Sequence, residues 1–73
     1  MSDEITELER MILNIIIEDS HRASAINRIL IGRGVQCDQN QVVQALNSLE
    51  GKKLVERYTT KTWLATSKAQ DHV

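Results

Sequence analysis

The sequence predicts a mainly α-helical domain in which three helices are followed by a small antiparallel β-hairpin. Apolar residues in three separate segments recur at spacings of three and four, the period of a helix with one buried face. The third segment opens on Asp38 with Gln41 three residues later, a capping box in its D-x-x-Q form. It runs straight into residues 54 to 58 and 62 to 66, both rich in β-branched and aromatic side chains and separated by Thr59-Thr60-Lys61. Two such stretches around a short polar loop read as a hairpin.

In the first segment Ile5, Leu8, Ile12, Ile15 and Ile16 form an apolar stripe on a helix expected from about residue 3 to residue 19. Ser2 or Asp3 is the expected cap, and the acids that follow suit the positive end of the helix dipole. Three consecutive isoleucines at 15 to 17 lower helix propensity, but a strand would break the longer period. The second helix is expected over residues 25 to 31, capped by Ser24, with Ile26, Ile29 and Leu30 on its buried side. Gly32 and Gly34 would end it in left-handed conformations. Gly-Arg-Gly also matches a fragment of a phosphate-binding loop, but the preceding strand, third glycine and Lys-Ser/Thr of that motif are missing. Val35 and Cys37, alternating with Gln36 and Asp38, are expected to point inward. The third helix, over residues 38 to 52, buries Val42, Leu46 and Leu49, flanked by Val43. Lys52 and Lys53 favour the negative end of its dipole. The polar stretch 67 to 73 is expected to fray or to form a brief helix capped by Thr66 or Ser67.

A chain of 73 residues makes one domain, with a core drawn from residues 5 to 66 and near the lower size limit for an unstapled apolar interior. Its only aromatics are Tyr58 and Trp63, so the core must be aliphatic. Trp63 can plug the hairpin against the helices or stand out as a stacking surface; with no phenylalanine in the chain the plug is favoured, and Tyr58 is expected to behave alike with its hydroxyl at the rim. Cys37 is the sole cysteine, which excludes an internal disulfide and suits a reducing, cytoplasmic setting. No leader-like opening and no membrane-length apolar run is visible. His21, Cys37, Asp38 and His72 have no zinc-ligand spacing, and Cys37 has no base placed to activate it. Neither an enzyme nor a cofactor or metal protein is expected.

The net charge of −1 conceals an asymmetry. Residues 1 to 19 carry six acids against Arg10, a balance of −5, while residues 20 to 73 carry eight bases against four acids, a balance of +4. Such separation can turn one positive face toward a polyanion. The plainer reading is two sets of ordinary solvated charges.

The order helix, link, helix, turn, helix, hairpin resembles the winged helix-turn-helix superfamily over roughly residues 5 to 66. The most specific part is V-x-x-x-L-x-x-L, a glycine-containing break, and L-V-E-R, here Val42, Leu46, Leu49, Gly51, Leu54, Val55, Glu56 and Arg57. Trp63, Ala65 and Thr66 look like the aromatic, hydrophobe and threonine of the second wing strand. Two positions depart from the pattern: Lys53 stands where a glycine usually precedes the Leu-Val pair, and the link from Gly32 to Cys37 is longer than the tightest turns of this type.

The resemblance implies a transcriptional regulator that lays its third helix in the DNA major groove and rests its wing on the backbone. Base-facing candidates are Gln39, Asn40, Gln41, Gln44, Asn47 and Ser48; carboxamides can pair bidentately with adenine. Phosphate contacts would fall to Arg22, Arg28, Arg33, Lys52, Lys53 and Lys61. One module reads few base pairs, so a homodimer is expected, joined through the Ile-rich first helix or the C-terminal stretch. The competing expectation is a winged-helix module that binds protein within a larger assembly, favoured by the near-neutral charge and a third helix without arginine.

Overall fold

The computed structural model describes residues 5–17 and 19–72. Three helices, α1 (Glu7–Ile16), α2 (Ala23–Gly32) and α3 (Gln39–Gly51), precede an antiparallel pair of strands, β1 (Val55–Arg57) and β2 (Trp63–Ala65), and a 3-10 helix (Ser67–His72) ends the chain. The topology is winged-helix-like: each helix turns one apolar face inward, and the hairpin closes the open side of the helical layer.

The α1 stripe packs Ile12, Leu13, Ile15 and Ile16 into the centre, where they meet Ile26 and Leu30 of α2 and Val42, Leu46 and Leu49 of α3. Leu54, Val55 and Trp63 add the hairpin side, so Trp63, 8% exposed, is the expected plug. Truncating one such aliphatic side chain to alanine costs about 2–5 kcal/mol in a close-packed interior, a large share of what holds a small domain together. Ala69 of the 3-10 helix is also fully buried, so the C-terminal stretch docks instead of fraying. Thr66 does not cap it: its hydroxyl donates to the Lys53 carbonyl at 2.9 Å.

Two helix starts differ from the sequence expectation. The caps expected at Ser2 or Asp3 lie outside the described residues, and α1 begins at Thr6. Thr6 Oγ1 accepts from the Glu9 N–H at 3.1 Å while Glu9 Oε1 accepts from the Thr6 N–H at 2.8 Å, a complete capping box. Helix α2 starts from Arg22, not Ser24, and has no side-chain cap. The cause is tertiary: the His21 N–H donates to the Trp63 carbonyl at 3.0 Å and the Trp63 N–H donates back at 2.8 Å, so the chain is extended up to residue 22. The expected Asp38–Gln41 box at the start of α3 is present, with N–H to oxygen distances of 2.8 and 3.0 Å.

Helices α2 and α3 end alike. After α2, the Gly34 N–H donates to Ile31 and the Val35 N–H to Leu30; after α3, the Lys53 N–H donates to Glu50 and the Leu54 N–H to Leu49. Each pair is a Schellman motif, whose first residue beyond the cap is left-handed. Gly34 fills that place in the first with φ 85°, whereas Gly32 stays helical, so only one of the two glycines acts as expected. In the second the place belongs to Lys53, φ 64°, the only non-glycine residue with positive φ among the described residues. A lysine there sets its Cβ against the following carbonyl, at a cost of roughly 1–2 kcal/mol.

Among the described residues Glu9 is the one buried charged residue, 4% exposed. Burial pushes its carboxyl upward, but the Thr6 N–H, the Ser48 hydroxyl and the Lys52 ammonium outweigh this and hold it below the ordinary 4.5. Lys52 Nζ lies 3.5 Å from Glu9 Oε1.

Lys53→Gly is expected to raise the free energy of unfolding by about 1 kcal/mol, because relief of the left-handed strain exceeds the entropy glycine adds to the unfolded chain; a urea midpoint unchanged or lowered would contradict the strain. Glu9 titrates below its unfolded value, so its contribution is present above about pH 4.5 and disappears as pH falls through the folded value. Unfolding free energy measured between about pH 5 and pH 3 is expected to decline less steeply in Glu9→Gln than in the parent protein.

Candidate nucleic-acid interface

Helical geometry sorts the exposed side chains of α3 into a central stripe and two flanks. With Val42, Ala45, Leu46 and Leu49 buried, the direction opposite the core belongs to Asn40, Gln44 and Asn47, spaced i, i+4 and i+7. All three are exposed, and their carboxamides have no hydrogen-bond partner among the described residues. Gln39 falls on the flank that carries Val43 and Glu50. Gln41, Ser48 and Lys52 fall on the other.

Several flank residues are engaged inside the domain, whereas Gln39 is exposed. Gln41 Oε1 is held by the Asp38 N–H in the capping box, and the Ser48 hydroxyl helps to hold the charge of the Glu9 carboxylate. Lys52, half-buried, pairs with the same carboxylate. Glu50 reaches the other way: its Oε2 lies 3.9 Å from Arg57 Nε, and the Arg57 guanidinium stands 4.8 Å above the Trp63 ring centroid. Of the six side chains expected to face bases, all are exposed, but Asn40, Gln44 and Asn47 alone share the outermost stripe.

The remaining basic candidates are spread over α2, the turn after α3 and the hairpin tip. Arg22 is exposed at the start of α2, next to the bridge to Trp63, and the first N–H groups of that helix lack a side-chain cap. Uncapped amides beside a guanidinium are suited to a phosphate. Arg28 is exposed along α2, Arg33 is its exposed C-cap residue, and Lys53 is exposed in the turn before the hairpin. Lys61 is exposed at the hairpin tip, where Thr59 organises the loop: its Oγ1 accepts from the N–H groups of Lys61 at 3.3 Å and Thr62 at 3.1 Å and lies 2.7 Å from the Thr62 hydroxyl.

Tyr58 corrects the expectation that it would be buried with Trp63: it is 65% exposed. The register pairs Arg57 with Trp63 and Glu56 with Leu64, so the inward side of the ladder holds Val55, Arg57 and Trp63, and the outward side holds Glu56, Leu64 and, one step on, Tyr58. The two-residue alternation already places Tyr58 opposite Val55 and Arg57. Cys37 is half-buried with its thiol donating to Asn27 Oδ1 at 3.2 Å, and no group of three or more His, Cys, Asp or Glu able to hold a metal occurs among the described residues. No helix among them is long and apolar enough to cross a membrane.

Comparison with protein-family models, curated proteins and solved structures finds no match to this chain.

Gln41→Ala is expected to lower stability by about 0.5–1 kcal/mol through loss of half the capping box, while Gln44→Ala leaves it within about 0.5 kcal/mol. Urea unfolding followed by Trp63 fluorescence distinguishes the two, and equal losses would mean that Gln44 has a structural partner.

Proposed function

We propose that this chain is a DNA-binding module of the winged helix-turn-helix type, acting as a transcriptional regulator. It would lay α3 in the major groove and rest the Lys61 hairpin tip on the phosphate backbone. The observation that carries the reading is the Asn40, Gln44 and Asn47 stripe: hydrogen-bonding side chains on the outermost line of a helix, without a hydrogen-bond partner among the described residues and flanked by a hairpin with a basic tip. Arg22 with the uncapped start of α2, together with Arg28, Arg33 and Lys53, supplies cations outside the helix that would read sequence. Lys52 contributes less, because Glu9 already balances its charge.

A homodimer on a two-fold site fits the small reading surface of one module. The isoleucines of α1 are committed to the monomer core, with Ile12, Ile15 and Ile16 all buried, so the exposed α1 side chains open to a dimer contact are polar: Glu7, Arg10 and Asn14.

A protein-binding role is the second reading. It is favoured by Tyr58, whose exposed ring stands on the outer hairpin face beside half-exposed Leu64, and by the lack of Lys or Arg between Gln39 and Gly51.

Fluorescence anisotropy of a labelled mixed-sequence duplex separates the two. For DNA binding, log K falls linearly with log salt, and Lys61→Ala weakens all duplexes alike while reducing the slope by about 1. Absence of binding at about 50 mM salt rules out the DNA reading.

A further inference from the structure

We infer that the sequence recognised through α3 is specified by adenines in the major groove, with guanine left unread. This rests on the DNA-binding reading above and concerns which base pairs that surface can distinguish. Guanine presents two neighbouring acceptors, N7 and O6, in the major groove, and a side chain that satisfies both at once carries two donors on one cationic head, as Arg or Lys does. Adenine presents an acceptor, N7, beside a donor, the N6 amino group, and a carboxamide offers the complementary donor and acceptor.

No guanidinium or ammonium occurs anywhere from Gln39 to Gly51. The first cation beyond the helix, Lys52, is drawn to Glu9, and the cation reaching α3 from the hairpin, Arg57, is stacked over Trp63 and faces Glu50. What projects outward is a line of carboxamides, Asn40, Gln44 and Asn47, with Gly51 continuing it without a side chain. Gln41 is a carboxamide too, but its oxygen is held in the capping box, so it lacks a free acceptor for N6.

Seven residues of helix span about 10 Å, and base pairs rise about 3.4 Å each. The three carboxamides therefore address at most about four consecutive base pairs. A site containing two or three A·T pairs within such a block is the expected target, with the strand carrying each adenine set by which side chain reaches it.

The test is selection from a randomised duplex library, followed by anisotropy on the enriched duplex and on the same duplex with individual adenines replaced by 7-deazaadenine. That replacement removes N7 from the major groove while leaving base pairing and the minor-groove edge intact. Enrichment of a short A·T block, with about tenfold weaker binding for each 7-deazaadenine at a read position, is the expected result. Asn40→Ala, Gln44→Ala and Asn47→Ala should each relax the base preference at one position of the enriched site. A G·C block, or full affinity with 7-deazaadenine throughout, overturns the adenine inference while DNA binding stands. Failure to enrich or bind any duplex at about 50 mM salt overturns both.

Discussion

The left-handed turn at Lys53 sets where everything after α3 goes. Its N–H closes one half of the helix-terminating motif, its carbonyl receives the Thr66 hydroxyl, and the next carbonyl, of Leu54, receives the Thr66 N–H. Two adjacent residues, Lys53 and Leu54, thus stop the helix, aim β1 and tie the far end of β2 back to the same point. If the turn opened, α3 would keep its amides but lose the hairpin beside them. The strain of a lysine at φ 64° is offset by these hydrogen bonds and by burial of Leu54 and Val55 directly behind them.

Glu9 secures the opposite flank. A buried carboxylate costs several kcal/mol unless its oxygens find donors, and here the Thr6 N–H and the Lys52 ammonium supply them, one at each helix, with the Ser48 hydroxyl also favouring the charged form. The same group therefore caps α1 and fastens it to the last turns of α3. This explains why Ser48 of α3 and its C-cap residue Lys52 belong to the architecture although they resemble their outward-facing neighbours in type.

Much of the fold was legible because it rests on local rules. The D-x-x-Q box, the apolar period and the hairpin loop all express constraints contained within a few residues. The T-x-x-E box at Thr6 and Glu9 was equally local, but the acids upstream drew the expected start of α1 toward Asp3. Other features were set at a distance. Ser24 is the better cap by residue type, yet pairing of His21 with Trp63 fixes the start of α2 two residues earlier. A left-handed Lys53 carries no signature in composition. At the candidate interface, Gln41 and Gln44 are chemically identical in sequence. What separates them is that one side chain meets the Asp38 amide and the other meets solvent.

The single-residue bridge at His21 gives β2 a partner on each of its long edges, β1 on one and the link between the first two helices on the other. A hairpin joined only at its root would swing. This one is braced like a panel hinged on both sides, so its pitch relative to the helical layer is settled before any encounter. Docking onto a stiff partner then forfeits little ordering entropy. Mechanical load on the hairpin would also be transmitted through two hydrogen bonds into the first turn of α2, making the wing and that helix start respond together.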